Sequence, residues 1–260
     1  MSNLPARWTS AAVRTPPSQR RPRILALPAG GLPDVATLFT FMRDAELRFR
    51  TLRMRIEEHT WGAAGEALLI HEVVVRHPDR ARVTVRHADL PMPRDHETWA
   101  FDAGTITTWS AIHGTRTERQ ARRGIVGLES STLPASSKVY RPLTQLPVDS
   151  IAEVCIHPAN YLQNVVSTGA VSVTGQERIA GREAVIVESL HPGTARIAAD
   201  RSDASIRLAA DAALGVISLL EQRLGDRVVR RAEAVSIEPD ADIPDAAFHV
   251  SIPSTARRIY

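Results

Sequence analysis

The hydrophobic pattern of the chain changes period at residue 50. Between Val35 and Phe49 the apolar positions Val35, Leu38, Phe39, Met42, Ala45 and Phe49 recur every three or four residues, which predicts one amphipathic helix. Pro33 and Asp34 stand where a helix start wants them, with Asp34 as the expected N-cap. From Leu52 the period is two. Leu52, Met54 and Ile56 alternate with Arg53, Arg55 and Glu57, predicting a strand with one apolar and one charged face. Trp61 to Gly65 reads as a turn, Glu66 to His77 as a long Val-rich strand, Pro78-Asp79 as a tight connection, and Arg80 to His87 as the next strand.

Beyond a loop carrying Pro91 and Pro93, strands are expected at Glu97 to Phe101 and Thr105 to Ile112, joined at Asp102-Ala103-Gly104, with a further strand from Thr115 to Arg122. Gly124 to Val148 has no clean period and reads as a long irregular loop. Asp149 to Val166 is helical in pieces, broken at His157-Pro158. Strands return at Ala170 to Val173, Glu183 to Leu190, Ser205 to Ala209, Val216 to Leu224 and Arg227 to Ile237. They are separated by turn signals at Gly175, Gly181, His191-Pro192-Gly193, Asp211 to Gly215 and Gly225-Asp226. Strands and helices do not alternate, so no parallel sheet is required. The expected fold is mainly β, of α+β class: a curved antiparallel half-barrel of about eleven strands with helices plugging its concave face. Residues 1–33, rich in Pro and Arg, are expected to be a flexible basic leader to a single domain spanning 34–260.

Composition sharpens this picture in two ways. The chain has 260 residues, 43% of them apolar, which suffices for a sizeable core. Its net charge of +3 resides in the leader, because Arg7, Arg14, Arg20, Arg21 and Arg23 precede the first acid, Asp34. A nearly neutral body argues against nucleic acid, even though Trp61, Trp99, Trp109 and Tyr140 could stack on bases. The leader leaves room for weak contact with a membrane surface. The single cysteine, Cys155, excludes an intramolecular disulfide and reads as a small buried apolar residue. His59 and His71 on adjacent strands, and His77 and His87 across the Pro78-Asp79 connection, lack ligand spacing, so neither a metal site nor a cofactor is expected. Glu57 and Glu58 point to opposite faces of their strand and form no acid/base dyad.

Three stretches carry a family resemblance. Val173 to Val187, with Gly175, Glu177, Gly181, Arg182 and Ala184, resembles the paired strands of the LolA/LolB/RseB superfamily of periplasmic lipoprotein carriers and sensors. Leu208 to Val216, with Asp211 and Gly215, is similar to that family's following hairpin, and Ile243-Pro244 with Phe248 to its ending. The resemblance implies an open half-barrel of about eleven antiparallel strands, closed by helices and loops around an apolar cavity that takes up acyl chains. Family members carry an export signal or a lipobox. Here Arg20-Arg21 and the short run Ile24 to Leu27 only hint at twin-arginine export, so a cytoplasmic location is expected.

Within such a cavity, alternation nominates Leu52, Met54, Ile56, Leu69, Val73, Val75, Val83 and Val85 as lining residues, with Phe39 and Met42 of the helix as a lid. The same positions would equally serve an ordinary core. Three functions are compatible with this reading. The first is a non-enzymatic protein that holds an acyl chain or other amphipathic molecule, as a lipid or lipoprotein carrier does. The second is a regulatory module of RseB type with a protein partner. The third, an enzyme acting on a hydrophobic substrate, needs a polar cluster at the cavity floor, and no motif supplies one.

Overall fold

The computed structural model describes residues 26–63, 65–88, 96–111, 114–119, 142–193 and 201–252. The leader up to residue 25, Tyr140, and most of the expected loop from Gly124 lie outside the described residues. Leu27 packs against the main core and Pro33 is buried, so the end of the expected leader touches the body.

The first helix, α1 (Val35–Arg43), starts as its sequence demands: the Asp34 carboxylate accepts the Thr37 amide at 2.8 Å. It buries Leu38, Phe41 and Met42, while Phe39 is only partly buried. The expected single helix to Phe49 is interrupted, for a local reason. The chain tightens into a 3-10 turn at Ala45–Arg48, which swings Arg48 back so that its guanidinium donates to the Phe41 carbonyl at 2.8 Å and the Leu214 carbonyl at 3.1 Å. Arg48 thereby supplies a C-terminal cap for α1 and stitches the helix to a distant strand turn.

Eleven strands follow: β1 (Thr51–Gly62), β2 (Gly65–Arg76), β3 (Arg80–His87), β4 (His96–Asp102), β5 (Thr105–Ser110), β6 (Gly114–Arg119), β7 (Ala170–Ile179), β8 (Arg182–Leu190), β9 (Ala204–Asp211), β10 (Ile217–Leu224) and β11 (Arg227–Pro239). Between β6 and β7 lie two short helices, α2 (Ile151–Ile156) and α3 (Ala159–Asn164), broken at His157-Pro158 as the sequence predicts. The strands form one antiparallel sheet in the order β6-β5-β4-β3-β2-β1-β11-β10-β9-β8-β7. Two meanders are thus joined side by side along β1 and β11. The sheet curves into an open half-barrel, and the helices pack on its concave side, α2 against β10 and α1 against α3 and β7.

One turn expectation is corrected. Gly175 lies inside β7, at a register shift opposite β8, where a residue without a side chain accommodates the local kink of a bulge. The β7–β8 reversal falls at Ala180-Gly181, both at positive φ, the geometry that a two-residue hairpin loop requires. No helix among the described residues is long and apolar enough to cross a membrane.

Candidate functional site

The register of the sheet decides what faces the concave side. Leu52, Met54, Ile56 and Glu58 of β1 stand opposite Val75, Val73, His71 and Leu69 of β2, and Val83 and Val85 of β3 extend the row. Met42, Leu52, Met54, Ile56, Val73, Val75 and Val83 are buried in the main core beneath the helices, with Phe39 and Val85 partly buried against it. Leu69, partly buried and paired with Glu58, stands outside that cluster. Trp99, Tyr161 and Val173 also lie partly exposed along its border. The concave face is therefore filled at the α1 end and leaves an apolar margin toward Leu69, Val85 and Trp99. A separate open cleft of about 680 Å³ lies where β1 begins, and Arg48, Arg50, Asp240 and Asp242 give it a charged lining unsuited to apolar cargo.

On the concave face, toward the β1–β2 turn, sits a polar cluster that no sequence motif marks. The Glu58 and His71 side chains are each 7% exposed, and His71 Nε2 lies 2.7 Å from Glu58 Oε2. Arg230 of β11 donates from Nε to Glu58 Oε1 at 2.7 Å, and its terminal nitrogen lies 2.6 Å from the same oxygen. Gln222 of β10 donates to the Tyr161 hydroxyl at 3.4 Å. A signal was present in the sequence: period two places Glu58 on the face of Leu52, Met54 and Ile56, and His71 on the face of Val73 and Val75. An ionisable group on the apolar side of two adjacent strands is the mark of a buried pair.

The electrostatics follow from those contacts. Burial works against the Glu58 carboxylate, but the His71 hydrogen bond and the Arg230 charge outweigh it and hold its pKa below the ordinary value of 4.5. A carboxylate held down in this way is a weak general base at neutral pH. Burial also pushes the Cys155 thiol up to about 12, which removes it as a nucleophile. Trp61 stacks on His59 at 5.6 Å, and Trp109 is buried.

A second cluster lies at the opposite end of the β1–β2 pair. Glu46 of the 3-10 turn, His77 just after β2 and His157 at the α2–α3 break each bring a potential ligand atom within 4.8 Å of the other two. Sequence spacing pointed to no such group, because its members come from three separate segments. Burial pushes the His77 imidazole down to about 4 and that of His157 down to about 3, so both rings are neutral at neutral pH.

No family model and no curated protein sequence matches the chain. Solved structures similar to it include MucB, at 12% identity and a TM-score of 0.48 over 85% of this chain. They also include a LolA superfamily protein from Nitrosomonas europaea, at 10% identity and 0.33 over 84% of this chain and 98% of that one. A third is the Mycobacterium tuberculosis lipoprotein LppX, at 10% and 0.35 over 77% of this chain and 94% of that one. The chain spans 64% of the length of MucB, which has also been solved in complex with MucA. The chain's open sheet of eleven antiparallel strands, with helices on its concave side, is the architecture that the sequence resemblance implied.

Proposed function

We propose that this chain is a non-enzymatic binding protein, a carrier-like half-barrel that shelters an acyl chain or similar amphipathic molecule against its concave face. The observation that carries the reading is the apolar margin at Val85 and Trp99, packed against the core, with Leu69 beside it across from Glu58 and the Glu58–Arg230 ion pair bounding it inward. Burying an alkyl chain there gains about 0.8 kcal/mol per methylene, while the polar pair favours a ligand with one polar end. Neither Glu58 nor Cys155 is tuned for proton transfer or attack at neutral pH, which favours holding over chemistry.

Native mass spectrometry after incubation with a long-chain fatty acid tests the reading. A one-to-one complex is expected, and Val85→Glu should weaken it at least about tenfold by placing a charge in the apolar contact. An apo mass at every load overturns the proposal.

A further inference from the structure

The geometry points to a metal site distinct from the concave face: Glu46, His77 and His157 together bind one divalent transition-metal ion of the zinc class. Three elements that are far apart in sequence deliver two imidazoles and a carboxylate to one place, with their ligand atoms within 4.8 Å of one another. Zinc bonds of about 2.0–2.2 Å to nitrogen and oxygen set tetrahedral ligand spacings near 3.3 Å, so side-chain shifts on the order of 1 Å close the site.

A purely structural hydrogen-bonded trio does not account for the arrangement. The His157 side chain is 2% exposed, and neither of its ring nitrogens has a hydrogen-bond partner among the described residues. Its closest approach to Glu46, 3.7 Å from Nε2 to Oε2, is too long for a hydrogen bond. Nε2 of His77 is likewise buried and unpartnered among the described residues. Leaving such groups unsatisfied is costly, and an ion accepting one lone pair from each ring relieves part of that cost.

The surroundings orient two of the three donors as metal ligands are oriented. His77 Nδ1 lies 2.7 Å from the Thr144 hydroxyl, which also accepts the Asp79 amide at 3.2 Å and has the Arg76 carbonyl as its own acceptor at 3.5 Å. With the hydroxyl proton directed to Arg76, Nδ1 is the donor, and the lone pair of His77 Nε2 is left for the ion. The Glu46 carboxylate is fixed by the Leu143 amide, 2.7 Å from Oε2. Two histidines and one carboxylate leave a further coordination position for water. The ion would tie the 3-10 turn and the α2–α3 break to the end of β2, and so clasp the helices onto the sheet.

The test uses the full chain, stripped with a chelator and titrated with zinc against a chromophoric competitor, with cobalt(II) as the optical probe. One equivalent is expected, with cobalt giving the visible bands of a four- or five-coordinate site. His77→Ala, at a half-buried position that tolerates truncation better than His157, should weaken zinc binding more than about 100-fold, and Thr144→Val about 10–100-fold. Zinc should raise the thermal midpoint of the wild type and leave that of His77→Ala unmoved, while His59→Ala at the exposed His59–Glu66 pair changes neither result. A wild-type chain without those cobalt bands overturns the assignment, as does a zinc affinity that His77→Ala and Thr144→Val leave unchanged. Neither outcome bears on fatty-acid binding, which is read at the concave face.

Discussion

Glu58 shows how a single side chain can be costly and still be kept. Its carboxylate is desolvated, yet Arg230 and His71 occupy both oxygens, so the ion pair holds only while all partners are present. Removing one partner of a buried pair typically costs about 3–5 kcal/mol, because the remaining charge is left uncompensated. Arg230→Met should therefore destabilise the fold by roughly 3 kcal/mol or more in urea unfolding at pH 7. The pH dependence is fixed by the direction of the shift. With its folded pKa below 4.5, ionised Glu58 contributes stability that is full above that value and is lost as pH falls through the lower folded pKa. The stability gap between wild type and Glu58→Gln should accordingly be widest above about pH 5 and shrink in acid. A gap that stays constant from pH 3 to 7 would show that the carboxylate charge contributes nothing. Alternation made the inward direction of Glu58 legible, but Arg230 comes from a strand 172 residues away, and no local pattern could supply it.

At the scale of elements, two of the three stretches that carried the resemblance turn out to be one physical unit. Arg182, which opens β8, pairs with Asp211 at the end of β9, at 2.5 and 3.2 Å. The same carboxylate accepts the Ala213 and Leu214 amides at 3.0 and 2.8 Å and so shapes the β9–β10 turn. Gly215 closes that turn at positive φ, where an added Cβ would lie 3.1 Å from the Phe41 carbonyl and the Arg48 guanidinium. The third motif is a strap: Ile243 and Phe248 pack on Val74 of β2, on the outer face of the sheet, with the Arg76 guanidinium 4.9 Å over the Phe248 ring. Asp211, 1% exposed, would keep a buried charge if Arg182 were lost. Arg182→Ala should cost about 3 kcal/mol, whereas Arg178→Ala, removing an exposed pair with Glu183, should cost under about 1. Equal costs in chemical denaturation would refute this division. Hairpins of this kind were readable because their turn residues are local. The bulge at Gly175 was not, since a glycine that kinks a strand and one that ends it look alike in sequence.

For the whole molecule, the least legible feature is the one that joins its halves. Each meander is a run of neighbouring strands, but β1 and β11 pair across nearly the entire described chain, with Ile56 opposite Ala234. The sheet alone would permit the two meanders to unfold separately. The core argues otherwise: one apolar cluster includes Met54 and Val83 from the first meander, Val187, Leu208 and Leu220 from the second, and Met42, Cys155 and Leu162 from the helices. Opening either half exposes the surface that stabilises the other, so equilibrium unfolding should be a single cooperative transition. The described tryptophans make the test direct, because Trp61, Trp99 and Trp109 lie in β1, β4 and β5, so that in a Trp8→Phe background tryptophan fluorescence reports the first meander alone. Far-UV circular dichroism reports strands of both. The two midpoints should coincide in the Trp8→Phe background, and Ala234→Pro, which removes a backbone donor at the seam between the meanders, should lower both together. Midpoints that separate, with fluorescence persisting after the dichroism has partly collapsed, would mean that the halves fold as two bodies and that the shared core is weaker than its burial suggests.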